Sequence, residues 1–428
     1  MAETLSNNLS HFIKELTIVT KVGNFDISDK FEELNIFDNI FCPCMTGIIL
    51  ITDAIDLTSK FNFDGSDLLK ISISKNENVA ASFTKTFKIY KKGKTIPLNS
   101  TSEQYALYFV SEEYYTSKTK KIKKVYDQRT FSDIVNEILT NDLSIQYGYK
   151  IEPTAGLIKY PSNSRTPFDC IIDITKKAIT TDDQSPTFVF FENRNGFNFI
   201  SLSNIAKQLP VATINYEPKM FESETRDNSY TGARYMEIVS QFDVQKNIDS
   251  GVYGSTGVFV DIFNRQVLTK QTGPISFNNK STQLNKTPDL APIPEAVDPS
   301  LCTRVYYGPT VIGSRNPWTK EHNPTSTNTI DDTTKYFTER PALMRKYTSK
   351  RIKLVMPGNF NLACGTVVDL LVSSRAQNME ADSKDESVSG KYIVLACRNV
   401  ITYQKHETII EISTDSTNKK QLYRPVGV

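Results

Sequence analysis

The first hundred residues alternate between apolar and polar positions. In SFTKTFKIY, Phe83, Phe87 and Ile89 share one parity; in QYALYFV, Tyr105, Leu107 and Phe109 do; in LLKISIS, Leu69, Ile71 and Ile73 alternate with polar neighbours. A period of two with one polar face predicts antiparallel strands that keep one side wet. MTGIILITD is apolar at every position from Ile48 to Ile51, which predicts a strand covered on both faces. In FNFDGSDLL, Asp64-Gly65 marks a turn ahead of the next strand.

The period then changes. TFSDIVNEILTND sets Phe131, Ile134, Val135, Ile138 and Leu139 on one helical face, with Thr130 as N-cap. TPFDCIIDITKKAI predicts a second helix, capped by Thr166 and opened by Pro167, with Phe168, Ile171, Ile172 and Ala178 facing the core. TFVFFENRNGFNFISL returns to period two, and Asn195-Gly196 predicts a tight hairpin. Strand patterns resume in GARYMEIVSQFDV and GVFVDIF. They return again in KRIKLVM, GTVVDLLVS, KYIVLACRNVI and HETIIEIS. Residues 271–341 hold nearly half of the 19 prolines, and only TRVYYG there resembles a strand. That composition predicts a long irregular excursion, with Trp318 packing it down.

This order predicts a first β domain over 1–125 and an α+β insert over 126–210. A second, discontinuous β domain takes 211–270 and 342–415, interrupted by the excursion and followed by a tail over 416–428. The charged, Ser-rich stretch 374–389 reads as a mobile hairpin loop. No repeat of 20 to 50 residues is visible.

Composition narrows the function. The 428 residues exceed one ordinary core, and 50 basic against 48 acidic residues leave a net charge of +2. So weak a field implies no pull toward nucleic acid. With no apolar run near the ~18 residues a bilayer requires, the chain reads as soluble, unprocessed and without stable membrane insertion. The six cysteines, Cys42, Cys44, Cys170, Cys302, Cys364 and Cys397, are too scattered for a disulfide scaffold. Cys42-Pro43-Cys44 lacks the two further ligands a zinc site needs, so both thiols read as structural.

His11, His322 and His406 have no sequence partners forming a catalytic set, and neither a zincin nor a G-x-S-x-G pattern occurs. GVYGSTG lacks the Lys-Ser/Thr of a phosphate loop and reads as a plain loop. Asp133 and Glu137 fit the wet face of a helix. The run Lys118, Lys120, Lys121, Lys123, Lys124 reads as a solvated connector rather than a sequence-specific nucleic-acid reader. No catalytic residue, cofactor or metal ligand is expected.

FEELNIFDNIFCPCMTGIILITDAIDLTSKFNFDGSDLLKISI resembles the first domain of baseplate hub proteins of contractile-tailed phages of the T-even kind. Ile36, Phe37, Ile40 and Phe41 stand where that family has an aromatic-rich strand. Gly47 opens the apolar strand, Asp53 ends it, and Gly65 precedes the next. SRTPFDCIIDITKKA and SPTFVFFENRNGFNFISL, with Gly196, resemble the family's helix-then-hairpin insert. PGNFNLACGTVVDLLV resembles its strand turn, carried by Gly358, Phe360, Leu362 and Gly365, and GKYIVLACRNVITYQKHETIIEIS looks like its closing hairpin.

The resemblance implies a mainly β protein with an α+β insert. It also implies two tail-tube-like antiparallel β-barrel or sandwich domains, the second discontinuous. It further implies a ring-shaped homotrimer without enzymatic activity that adapts a sixfold tail tube to a threefold spike and forms part of the channel. The implied partners are the chain itself, a central spike protein, tail tube or tube-initiator proteins and other baseplate proteins. The implied place is the tail-tip baseplate of a virion, assembled in the host cytoplasm. Two alternatives stand beside it: the hub of a related contractile injection or secretion system, and a tail-associated cell-wall hydrolase. Hubs of such injection systems are frequently fused to a β-helical spike, and an ending at QLYRPVGV favours a separate spike protein. In PGNFNLACG itself, Gly358 and Gly365 permit backbone conformations barred to other residues, and Phe360 and Leu362 share a parity for one face, as a corner between two strands requires.

Overall fold

The computed structural model describes residues 11–54, 63–75, 82–145, 148–217, 232–241, 243–261, 265–272, 283–288, 304–310, 314–315, 322–323, 335–374 and 384–419. Trp318, Cys302 and most of the 374–389 loop lie outside them.

The first β run comprises β1 (Phe12–Val19), β2 (Asn24–Asp26), β3 (Phe31–Asn39), β4 (Thr46–Asp53), β5 (Leu68–Ser74), β6 (Phe83–Pro97) and β7 (Glu103–Ser111). They pair in the order β3-β4-β7-β6-β5-β1-β2, every ladder antiparallel. Leu34 and Ile36 at one end of this path share a core with Leu16 and Ile18 at the other. The sheet therefore rolls over on itself and buries one face. The parity read from the sequence holds: Phe83, Phe87, Ile89, Tyr105, Leu107, Phe109, Leu69, Ile71 and Ile73 all lie in that core. β4 departs from expectation. It alternates strictly, burying Gly47, Ile49, Ile51 and Asp53 and leaving Ile48 and Leu50 partly exposed. An apolar run does not guarantee a second covered face.

Between the β runs lie the helices α1 (Glu112–Thr119), α2 (Phe131–Glu137), α3 (Pro167–Thr175) and α4 (Leu202–Ala206), with a single π turn at Ile138–Asp142. The strands here are β8 (Val125–Arg129), β9 (Tyr149–Ile151), β10 (Ile158–Pro161), β11 (Phe188–Asn193) and β12 (Gly196–Ser201). Thr130 and Thr166 cap their helices as expected, each accepting a backbone N–H from the third residue on. On α3, Ile172 is only partly buried, and Cys170 and Ile174 complete the core face instead. The hairpin β11–β12 turns on Arg194-Asn195 rather than Asn195-Gly196. Gly196, at φ +108°, lies against the Gly148 carbonyl, where a Cβ would come within 1.7 Å.

The second β run is formed by β13 (Ala212–Tyr216), β14 (Tyr235–Ser240), β21 (Lys350–Pro357), β22 (Val367–Val372), β23 (Gly390–Thr402) and β24 (His406–Thr414). Between β14 and β21 come β15 (Ser255–Asp261), β16 (Gln266–Thr272) and β18 (Arg304–Thr310), which form a separate three-stranded sheet. That sheet is the setting of GVYGSTG, whose last glycine, Gly257, is part of β15. The same stretch holds the two-residue strands β17 (Thr287–Pro288), β19 (Ser314–Arg315) and β20 (His322–Asn323), and a last one, β25 (Ser416–Thr417), follows β24. The helices α5 (Val244–Asp249) and α6 (Arg340–Tyr347) also belong to this interval, with a π turn at Lys335–Glu339 whose Phe337 stacks on Tyr306 at 4.2 Å.

The second run pairs β14-β21-β24-β23-β22-β13. If the six principal strands of each run are numbered in chain order, omitting the short β2, both runs read 2-3-6-5-4-1. The chain thus contains a topological repeat that its sequence periodicity does not display. The repeats differ at their far ends, where β1 runs antiparallel to β5 but β13 runs parallel to β22.

Candidate functional site

The two runs meet along one strand. The start of β23, Gly390 to Ile393, pairs with β22; a bulge at Val394/Ala396 follows, and Ala396 to Thr402 pairs with β3 of the first run. A bulge re-aims a strand, and here it lets β23 leave its own repeat and carry the sheet into the other. Thirteen strands thereby form one sheet. At this seam Arg398 donates from Nε to Asn35 Oδ1 at 2.9 Å, approaches Glu33 at 3.6 Å, and lies over the partly exposed Phe37 ring at 5.6 Å.

Behind the seam, Asp38 is buried opposite Cys397 and accepts the Cys364 N–H at 2.7 Å. Burial raises its pKa to about 6, because removing water penalises the charged form more than its hydrogen bonds with the Cys364 backbone and the Cys364 and Cys397 thiols compensate. The same burial pushes the thiols of Cys364 and Cys397 well above their ordinary value.

The corner PGNFNLACG closes over this place. Gly358 has no positive φ, contrary to the sequence expectation; a Cβ there would stand 2.1 Å from the His406 ring, so the residue is needed for room. Gly365 does adopt φ +77°, and its Cα faces the Phe191 ring. Phe360 and Leu362 do not share a face. Phe360 enters the core of the first run, stacked on Phe83 at 5.2 Å, while Leu362 enters the core of the second. The segment turns between them, so strand parity does not apply. His406, also 4.5 Å from Phe360, meets Asn399 Oδ1 at 3.0 Å, and burial lowers its pKa to about 3, keeping it neutral.

The insert is fastened by Glu192 at the end of β11. Fully buried, its carboxylate accepts the Met45 N–H at 2.8 Å and the Ser111 hydroxyl at 2.5 Å and pairs with Lys85. The next residue, Asn193, donates to the Cys364 carbonyl at 3.0 Å. Arg340 of α6 reaches the Pro186 and Phe188 carbonyls at 2.6 and 2.9 Å. One small region thus ties together both β runs and the insert.

Of the positions singled out in the sequence, Gly358, Phe360, Leu362 and Gly365 gather here. Gly47 lies in the first core beneath Phe109, where a Cβ would come within 2.1 Å of the ring. Asp53 is buried and receives the Tyr105 hydroxyl at 3.4 Å. Gly65 sits in its turn at φ +78° with open space around it, and Phe41 is half exposed just past β3. Cys44 is buried and Cys42 exposed. Among the described residues no three His, Cys, Asp or Glu side chains gather as metal ligands. In the lysine run, Lys118 lies 3.6 Å from Asp169, Lys120 donates to the Asp142 carbonyl at 2.6 Å and Lys124 pairs with Glu137. Asp38 and Glu192 were not singled out from sequence. Their signal was available, since each is a lone carboxylate inside an apolar strand, as in NIFDNIF and FVFFENR.

No protein-family model matches the chain. It is 21% identical over 386 residues to the "Probable baseplate hub protein gp334" of Vibrio phage KVP40, covering 87% of both chains. In fold it is similar to the tail protein from Neisseria meningitidis MC58, with a TM-score of 0.55 at 10% identity over 94% of this chain and 96% of that one. It is likewise similar to the 43 kDa tail protein of prophage MuSo2 from Shewanella oneidensis, with a TM-score of 0.54 at 8% identity over 96% and 100% of the two chains. On its likeness in sequence, this mainly β chain built on a large antiparallel sheet is a distant homologue of a phage baseplate hub protein.

Proposed function

We propose that the chain is a structural hub of a contractile phage tail, placed in the virion's baseplate and without an enzymatic role of its own. In this reading it forms a ring-shaped homotrimer around part of the channel and adapts a sixfold tail tube to a threefold central spike. Its partners are then the spike, the tube or its initiator, and other baseplate proteins.

One observation carries the reading. Two six-strand runs of identical strand order are joined by the β23–β3 seam into one sheet, so each chain offers two equivalent wall units. Three chains then supply six units to a sixfold tube while keeping threefold contacts for the spike. The two runs fit the tail-tube-like domains that the resemblance implies.

Light scattering of the purified chain tests this, alone and with its spike. A mass near three chains and ring-shaped particles in electron micrographs are expected. A single chain at every concentration, with the spike present as well, would sink the proposal.

A further inference from the structure

Resting on that trimeric reading, we infer which strands close the ring: the outer edge of β14 in one copy pairs, antiparallel, with the second half of β6 in the next.

The repeat supplies the argument. β6 and β23 are the same strand of the two runs, and both are long, with a bulge at the same place, Ile89/Lys91 in β6 and Val394/Ala396 in β23, and a further irregularity at Lys92/Thr95 in β6 alone. Before the bulge each strand pairs with its own repeat, β6 with β5 and β23 with β22. Beyond it, β23 takes β3 on that edge. Among the described residues, Lys91 to Pro97 of β6 have no strand there. β3 and β14 are likewise equivalent. β3 has β23 on its outer edge, and β14 has no strand on its outer edge among the described residues. One seam is made inside the chain, and among the described residues the two halves of a second one carry no strand.

Burial agrees. Across the first run, the paired row Ile36, Gly47, Phe109, Ile89 corresponds to Ile238, Ile352, Ile412, Val394 in the second. Ile36, covered by the existing seam, is fully buried, whereas Ile238 is 42% exposed. Val239 beside it and Ile96 on β6 are exposed as well. An apolar open edge is a liability unless another chain covers it.

Direction agrees too. From β14 through β21, β24, β23, β3, β4 and β7 to β6 every ladder is antiparallel. Eight alternating strands leave the two ends pointing opposite ways. Copies related by rotation about a channel axis can therefore join β6 to β14 antiparallel at every seam, a head-to-tail contact that closes. The internal seam also gives the register. Ile36 faces Asn399, which pairs with Thr408; the matching position on β7 is Tyr105, whose β6 partner is Thr95. Thr95 of one copy therefore faces Ile238 of the next.

The test is cysteine cross-linking in the full chain with Cys42→Ser. Thr95→Cys chains mixed with Ile238→Cys chains should give a two-chain product on oxidation, and neither variant should do so alone. The double variant should give a three-chain product. Ile238→Lys, at an exposed position, should keep the folded circular-dichroism spectrum and move ring dissociation to about tenfold higher concentration or more. Ile238→Cys chains cross-linking to themselves would overturn the seam. A three-chain ring without the mixed product would overturn the seam while leaving the trimeric reading intact. Single chains throughout, by mass measurement, would overturn both.

Discussion

The ring of Phe191 stands where a side chain on Gly365 would have to go. A Cβ there would come within 2.2 Å of the ring, and the backbone at φ +77° already disfavours one. Phe191 belongs to the insert and Gly365 to the corner of the second β run, so this contact sets how closely the two approach. Gly365→Val should therefore destabilise the chain by about 3 kcal/mol or more, combining backbone strain with overpacking. Lys121→Ala, in the exposed lysine run, should stay within about 0.5 kcal/mol. Urea unfolding of both, with trimer yield, checks the ranking; greater damage from the lysine change would make that run an interface.

Glu192 should be the most sensitive carboxylate in the chain to truncation. Glu192→Ala leaves the Lys85 ammonium and the Met45 N–H without their carboxylate acceptor in a buried place, and leaves the Ser111 hydroxyl only its longer contact with the Met45 carbonyl. Breaking a buried pair in this way costs about 3 to 5 kcal/mol. Glu192→Gln keeps the shape and one acceptor oxygen and should cost clearly less. Combining Lys85→Met with Glu192→Gln should cost less than the sum of the two single changes, and a double-mutant cycle in urea reads that coupling directly.

Phe360 and Leu362, two residues apart, should report on different halves of the molecule. Each truncation to alanine should cost about 3 kcal/mol by opening a cavity. Hydrogen exchange should then quicken around Phe83 and β6 in Phe360→Ala, but in β21, β22 and β24 in Leu362→Ala. The same pattern in both variants would contradict the division between the two cores.

What the sequence displayed was local. Strand parity placed Phe87, Ile89 and Phe109 correctly, and the caps at Thr130 and Thr166 stand where hydroxyl and proline chemistry put them. The seam was not legible, because β3 and the end of β23 lie some 360 positions apart and nothing in either strand names its partner. The repeat was hidden for a related reason. Several of its equivalent positions, such as Gly47 and Ile352, share a place in the sheet but no residue type. Gly358 was noticed for the wrong cause, since a glycine can answer a neighbour's bulk as well as a backbone angle, and only the fold brings His406 against it.

Asp38 should make the junction respond to pH. Its carboxyl titrates near 3.8 when exposed and at about 6 in the folded chain, because burial disfavours the charge. Between those values the folded state holds the proton more tightly than the unfolded state does. Stability from this group is therefore greatest below pH ~4 and falls as pH rises to ~6, beyond which the buried charge remains as a constant cost. A shift of this size corresponds to about 3 kcal/mol. Asp38→Asn keeps an oxygen for the Cys364 N–H but cannot ionise, so it removes the dependence. Glu192, also raised by burial, titrates in both proteins and cancels in the comparison. The expected result is a stability difference, wild type minus Asp38→Asn, that declines by about 2.5 kcal/mol from pH 4 to pH 7. Urea midpoints across that range measure it, and a flat or rising difference would mean that Asp38 stays charged in the folded junction.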